Sequence, residues 1–129
     1  MKGRTKRDPI NVASALLALI FVLAGIAKLI GADIVIERFQ AWGYPISLMR
    51  VVGLIEVLGA LALLVPSITS LGALALSLVM VGAIVTHIAF GSPLFAVVPL
   101  TLLVGLVWLA HRRLHEPVSW TLSWRRDLL

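Results

Sequence analysis

The chain has 129 residues, of which 60% are hydrophobic and 13% are charged, and this is too little polar surface for a water-soluble domain of its size. Its net charge of +5 comes from basic residues grouped near the two ends, without the continuous basic face that nucleic-acid binding needs. It contains no cysteine, which excludes a thiol–disulfide relay, a thioether-attached haem and an iron–sulfur cluster. The composition therefore predicts an integral membrane protein whose main partner is the lipid bilayer, with no nucleic acid.

Four apolar segments predict four transmembrane helices, at residues 10–30, 48–65, 71–90 and 94–110. Each is close to the ~20 residues that a helix needs to cross the hydrocarbon core, where an open strand edge would find no partner. The connections after the second and third segments are only a few residues long, so neighbouring helices must be antiparallel. We therefore predict an all-α membrane fold, an up-down four-helix transmembrane bundle that forms a single domain over residues 1–129.

The basic residues predict the orientation of this bundle. Four precede the first segment and four follow the last, whereas Arg38 alone lies in the first connection, and lysine and arginine accumulate on the cytoplasmic side of membrane proteins. We expect a multi-pass membrane protein with both termini cytoplasmic. The tail at residues 117–129, with two tryptophans and two arginines, is expected to rest on the anionic inner leaflet.

The first connection, residues 32–47, is long enough for a structure of its own on the outer side. Val35, Phe39 and Trp42 are spaced i, i+4 and i+7, which gives a helix one apolar side and predicts a short amphipathic segment along the membrane surface. Two interpretations of this segment stay open. It is either an interfacial anchor, because tryptophan and tyrosine concentrate at this depth, or a lid over the bundle.

Three ionisable residues, Lys28, Glu56 and His87, lie inside the predicted spans. Such residues cost a few kcal/mol each in lipid, so they face the bundle interior and mark functional sites. With a rise of about 1.5 Å per residue, Lys28 and His87 lie within about 5 Å of the outer boundary and Glu56 about 12 Å below it. Arg50 lies at the same outer end, so separate helices send titratable groups into one layer.

Lys28 and Glu56 occupy matching frames in the first and second spans. Each has a glycine three positions before it and Gly-Ala beginning three positions after it, which gives the pattern G-x-x-charge-x-x-G-A twice. Residues three positions away lie about 60° to either side on a helix, so each charge is flanked by glycines on its own face, where another backbone can approach closely. We therefore predict an interhelical ion pair between Lys28 and Glu56.

Two interpretations of these charges follow. In the first, the ion pair is a lock that fixes the register of the helices and takes no part in chemistry. In the second, Glu56 and His87 are a catalytic, proton-handling pair beside a pocket open to the outer leaflet, as quinone chemistry needs.

The histidines do not predict a metal centre. No second inward histidine lies at the depth of His87, so a haem with two histidine ligands is not expected. His111 and His115 are four residues apart on a predicted helix, which is a spacing that metal ligands use. Two adjacent arginines would repel a metal cation there, so we predict no metal site. In the fourth span, Pro99 is expected to kink the helix.

Four short motifs, in this order, resemble the DoxX-like family of small bacterial membrane proteins. They are Gly25-x-x-Lys28-Leu29, Phe39-x-x-Trp42-Gly43-Tyr44-Pro45, Gly53-x-x-Glu56-x-x-Gly59 and Gly82-Ala83-x-x-x-His87. The resemblance covers nearly the whole chain and implies a four-helix membrane bundle, located in the bacterial cytoplasmic (inner) membrane. It singles out the three ionisable residues above together with the loop at Trp42 and Tyr44, and we expect these two aromatic residues, with Arg50, to take part in binding.

For activity, the resemblance implies a link to membrane redox complexes, because the wider family includes a membrane subunit of thiosulfate:quinone oxidoreductase alongside many members of unknown role. The chain carries no intrinsic cofactor motif, so a quinone or a partner subunit must supply the electron carrier. We predict a subunit of a membrane-associated, quinone-linked oxidoreductase complex. A non-enzymatic membrane scaffold or assembly factor and a small proton-coupled transporter are the alternatives, and the sequence decides neither between enzyme and non-enzyme nor the oligomeric state.

Overall fold

The computed structural model describes residues 9–115, and this part of the chain consists of helices joined by short turns, without strands. The helices are α1 Pro9–Leu29, α2 Asp33–Ala41, α3 Ile46–Leu63, α4 Thr69–Ala89 and α5 Val97–Leu114, with a 3-10 helix at Pro93–Ala96 that leads into α5. By length and composition, α1, α3, α4 and the combined segment Pro93–Leu114 can each cross a membrane. The predicted all-α fold with four membrane-spanning helices is confirmed.

The fourth span differs most from its predicted form. It begins with a 3-10 helix and extends to Leu114, four residues beyond the predicted end at residue 110. Pro99 is the third residue of α5, in the first turn, where a missing N–H breaks no helical hydrogen bond. Pro99 therefore lies just after the change from 3-10 to α geometry, and it does not kink the middle of a span as predicted. The predicted cytoplasmic tail, residues 117–129, lies outside the described residues.

The four long helices pack in a ring in the order α1, α3, α4, α5, and α5 closes the ring against α1. The short helix α2 contacts α1 and α3 at the end of the bundle where it connects them. We call this end the α2 end, and the opposite end, where α1 begins and α5 finishes, the terminal end. Along α2, Phe39 is buried while Glu37 and Arg38 are exposed, as expected of an amphipathic segment.

Glycines allow the backbone of α3 to approach the backbones of both neighbouring helices, α1 and α4, closely. A Cβ atom added to Gly25 of α1 would lie 2.7 Å from the carbonyl oxygen of Gly53, and one added to Gly72 of α4 would lie 2.7 Å from the carbonyl oxygen of Gly59. Small residues at such crossings are how helices associate in lipid, where the hydrophobic effect does not drive them together. The first crossing lies in the α2 half of the bundle and the second in the terminal half.

The apolar core fills the terminal half. It takes side chains from all four long helices; these are Ile10, Leu17, Ala18, Phe21, Ala60, Leu63, Ala73, Leu76, Met80, Leu106 and Leu109. The outward faces of the long helices carry many exposed leucine, isoleucine and valine side chains, which suit contact with lipid. Most of the α2 half lies outside this core.

Candidate functional site

A cavity of about 530 Å³ lies in the α2 half, between α3 and α4. α2 and the loop after it line the cavity at the α2 end, and α1 contributes one residue. The apolar lining residues are Val35, Phe39, Leu48, Val52, Leu78, Val79, Met80, Gly82 and Ala83, and the others are Lys28, Arg38, Trp42, Tyr44, Glu56, Thr86 and His87. The cavity is thus an apolar chamber into which three of the long helices and the α2 segment bring polar groups.

An ion pair between α1 and α3 forms one wall of the cavity. Lys28 Nζ lies 2.7 Å from Glu56 Oε1, and the Glu56 side chain is only 2% exposed. Side chains lean toward the N-terminus of their own helix, and because α1 and α3 are antiparallel, the two side chains lean toward each other in depth. The glycine crossing assists this, since Gly53 lies directly beside the Cβ atom of Lys28. Among the described residues, Lys28 is the one partner of Glu56 Oε1.

A hydrogen-bonded chain connects the α2 loop to α4. Gly43 turns the backbone through a φ of 78°, a conformation that glycine adopts without strain, and the Tyr44 N–H then donates to the Phe39 carbonyl oxygen at 2.9 Å. The Tyr44 hydroxyl lies 2.8 Å from Thr86 Oγ1, which itself donates to the carbonyl oxygen of Gly82 at 2.8 Å. Because the single hydroxyl proton of Thr86 is already used, Tyr44 must be the donor to Thr86, and its oxygen remains free to accept.

His87 is oriented by Ser92 just after the end of α4. Gly91 has a φ of 76°, and the Ser92 N–H donates to the carbonyl oxygen of His87 at 2.9 Å. The Ser92 hydroxyl donates to the same carbonyl oxygen at 3.3 Å and lies 3.3 Å from His87 Nδ1. Both side-chain contacts are hydrogen bonds only if Nδ1 carries a proton and donates to the serine oxygen. In the neutral imidazole with this tautomer, Nε2 is the hydrogen-bond acceptor, on a residue that lines the cavity.

Aromatic rings tie α2 to this histidine. The Trp42 ring stands at 88° to the His87 ring with their centroids 5.4 Å apart, and it also contacts Phe39 at 5.5 Å and Tyr44 at 6.1 Å. Edge-to-face contacts of this kind stabilise aromatic clusters. The cluster fixes the position of α2 over the last turn of α4.

The structure brings five of the six sequence-predicted site residues to one cavity: Lys28, Trp42, Tyr44, Glu56 and His87. No hydrogen bond joins Glu56 to His87 among the described residues, so these two line the cavity separately. Arg50 is not part of the lining. It lies about 120° from Glu56 around the axis of α3, and its guanidinium donates to the Leu29 carbonyl oxygen at 3.3 Å, at the end of α1.

Sequence reasoning missed the roles of Thr86 and Ser92, which orient Tyr44 and His87. It also missed the face of α3 that lines the cavity, although the spacing contains the signal: Leu48, Val52 and Glu56 are four residues apart and so share one side of the helix. Hydroxyl residues next to a helix end are common, and nothing in their spacing shows which side chain they will orient.

Comparisons with known proteins identify a family but no individual relative. No curated protein and no solved structure matches the chain. The sequence model described as the DoxX-like family matches residues 12–110, a stretch that runs from the first turn of α1 to the last turns of α5 and contains every residue of the cavity. The chain therefore belongs to the DoxX-like family, and it is an integral membrane protein.

Proposed function

We propose that this protein is the quinone-binding membrane subunit of a membrane-associated oxidoreductase complex. The observation that carries the proposal is the cavity, in which the Lys28–Glu56 ion pair, the Tyr44 hydroxyl and the His87 imidazole line one apolar chamber within the membrane-spanning part of the molecule. Membrane-embedded titratable groups of this kind mark ligand or proton pathways.

The size of the cavity fits a lipid-soluble aromatic headgroup. Small-molecule sites are typically about 300–1,000 Å³ in volume and mostly apolar, with a few polar groups that orient the ligand. The cavity of about 530 Å³ lies within this range. The rings of Phe39 and Trp42 in its lining are suitable partners for stacking on a planar quinone.

The position of the cavity fits a ligand that arrives through lipid. Leu48 of α3 and Leu78 of α4 both line the cavity, yet they are 38% and 66% exposed on the outer surface of the bundle. The chamber therefore reaches the lipid-facing surface between these two helices. A quinone can enter here with its headgroup first and leave its isoprenoid tail among the lipid chains.

The polar lining residues suit the proton chemistry of a quinone. Reduction of a quinone consumes protons, and oxidation of a quinol releases them, so a site needs groups that exchange protons with the two ring oxygens. His87 Nε2 can accept a hydrogen bond from a quinol hydroxyl. Glu56 is the acidic residue in the lining, and Lys28 beside it holds a positive charge that attracts a ring oxygen as negative charge develops on it.

Electron transfer requires a second component. The chain has no cysteine and belongs to a family that, by the resemblance of its motifs, includes a subunit of a quinone-linked oxidoreductase. We therefore assign to this subunit the binding of the quinone and the handling of its protons, and to a partner subunit the redox group that exchanges electrons with it.

The orientation that we propose places the α2 end, and with it the cavity, on the outer side of the bacterial inner membrane, with both termini cytoplasmic. The basic residues near the two termini support it. Because the native chain has no cysteine, single cysteines at Asp33 and His115, exposed residues at opposite ends, can be labelled selectively. A membrane-impermeant maleimide added to intact spheroplasts should label Asp33→Cys and not His115→Cys; the reverse result would contradict the orientation.

A matched pair of substitutions on α4 tests quinone binding. Val79 lines the cavity, whereas Val81 is 45% exposed on the lipid-facing side. Val79→Phe should fill the chamber and lower the amount of quinone that co-purifies by about tenfold, whereas Val81→Phe should retain the wild-type amount. Quinone content is measured by extraction and chromatography, and thermal unfolding shows whether each variant is folded. Equal quinone content in two folded variants, or none in the wild type, would overturn the proposal.

A second candidate function is that of a non-enzymatic membrane scaffold, in which the Lys28–Glu56 pair only locks the bundle. The observation in its favour is that the pair lies at the glycine crossing of α1 and α3, where register matters most. Glu56→Gln separates the two functions. Weaker quinone binding by the folded variant favours the oxidoreductase subunit, whereas unchanged binding favours a structural role for the pair.

A further inference from the structure

A buried arginine lies at the terminal end, far along the bundle from the cavity. Arg113, in the last turn of α5, is 6% exposed. Its Nη2 donates to Asn11 Oδ1 of α1 at 2.8 Å, but its Nε and Nη1 atoms are buried and find no acceptor among residues 9–115. The acidic residues in the described part of the chain are Asp33, Glu37 and Glu56, all in the α2 half. No carboxylate in this part of the chain is placed to neutralise the guanidinium.

Two side chains of α1 offer further donors at this end of the bundle. Because a guanidinium only donates, the Asn11 atom that faces it must be the amide oxygen, which leaves the Asn11 NH₂ group as a donor. Ser14, one turn after Asn11 and so on the same side of α1, is 3% exposed, and its hydroxyl has no partner among the described residues. The N-terminal end of α1 adds the positive end of a helix dipole. A buried positive charge among unused donors is the arrangement that binds an oxyanion.

We propose that Arg113, Asn11 and Ser14 bind a phosphate group, which in the membrane is the phosphate of an anionic phospholipid headgroup. Asn11 is the third residue of α1 and Arg113 is one residue from the end of α5, so the group of donors lies at the end of two spans, at the depth of headgroups. Arginine binds phosphate by pairs of parallel N–H bonds and is less strongly hydrated than lysine. Leaving the Nε and Nη1 groups of Arg113 buried and unpaired is unfavourable, and phosphate oxygens would accept hydrogen bonds from them.

The neighbouring arginine provides a matched control. Arg112 is exposed, and its guanidinium lies over the Trp108 ring, 5.5 Å from the ring centroid. Arg112→Gln and Arg113→Gln remove the same charge from adjacent positions of one helix. A general attraction between the positive terminal end and anionic lipid would be weakened equally by both substitutions, whereas a site built on Arg113 would be lost in one variant only.

The experiment measures thermal unfolding of the purified full-length protein in a neutral detergent, with phosphatidylglycerol, diacylglycerol or inorganic phosphate added. Phosphatidylglycerol should raise the Tm of the wild type and of Arg112→Gln by about 4 °C or more, because a ligand bound only by the folded state stabilises it. Arg113→Gln should show no such shift. Diacylglycerol, which lacks the phosphate, should leave the Tm of all three proteins unchanged.

The remaining outcomes are also decisive. An equal shift with inorganic phosphate alone would support a phosphate site at Arg113. It would also show that the ligand is free phosphate and not a lipid headgroup. Equal shifts in the two arginine variants, or no shift in the wild type, would overturn the site. If Arg113→Gln does not fold, Ser14→Ala replaces it and should reduce the shift by about half or more.

Discussion

In the terminal half of the bundle, α3 and α4 touch backbone to backbone at Gly59 and Gly72, and apolar side chains fill the space around the crossing. In the α2 half, the same two helices line a cavity of about 530 Å³. Both helices are apolar enough to cross a membrane, so the difference does not come from their overall hydropathy. It comes from where the small residues and the polar residues are placed.

The comparison shows what keeps the cavity open. Unfilled space forfeits dispersion contacts, so packing alone favours closing it. In the α2 half, α3 is held to α1 by the glycine crossing at Gly25 and Gly53 and by the Lys28–Glu56 ion pair. On the other side, the α2 loop is held to α4 by the Tyr44–Thr86 hydrogen bond. These contacts hold the walls of the chamber in place, as a binding site requires.

The largest effect is expected from the ion pair. Lys28→Ala or Glu56→Ala leaves an uncompensated charge in the α2 half, and each should lower the free energy of unfolding by about 3 kcal/mol. The double variant should be less destabilised than the sum of the two, because both charges are then gone. Unfolding of purified protein in mixed detergent micelles measures all three. Strict additivity would show that the two side chains do not interact.

A smaller effect is expected from a methyl group added to α4, and its size should depend on which half receives it. A Cβ atom on Gly72 would lie 2.7 Å from the Gly59 carbonyl oxygen, whereas one on Gly82, which lines the cavity, would meet nothing within 4 Å. Gly72→Ala should therefore cost about 1–3 kcal/mol of stability by overpacking. Gly82→Ala, the control, should be neutral or stabilising. Similar losses at both positions would contradict the difference between the halves.

The smallest effect is expected at Arg50. Its guanidinium is exposed, outside the cavity lining, and makes one hydrogen bond of 3.3 Å to the Leu29 carbonyl oxygen, so Arg50→Gln should cost less than about 0.5 kcal/mol. The variant should also bind quinone as the wild type does. A clear loss of quinone in the folded variant would place Arg50 in the site and enlarge it toward the end of α1.

Much of the fold could be predicted from the sequence because a backbone that crosses lipid can adopt very few structures. A run of about 20 apolar residues must form a helix to satisfy its backbone, and this fixed the four spans to within a few residues. The contact between Lys28 and Glu56 follows from local spacing, since glycines three positions away on the same face allow two helices to meet.

The cavity and the phosphate site could not be predicted in the same way. The cavity depends on how α3 and α4 pack against each other between Gly59 and the α2 end, which is a property of tertiary packing and not of either helix alone. Arg50 shares the depth of the cavity, but the rotation of α3 turns it away. Arg113 has the sequence signature of an ordinary cytoplasmic basic residue, and only the structure shows that it is buried against Asn11.

The most direct test of the account is photolabelling of the protein in native membranes with an azidoquinone, followed by mass-spectrometric mapping of the labelled peptides. We expect labels on the α2 segment and on the cavity-lining half of α4, above all near Trp42 and Val79, and we expect excess unlabelled quinone to abolish them. Labels confined to lipid-facing residues, with no reduction by competing quinone, would contradict the claim that the α2 half of the bundle is a quinone site.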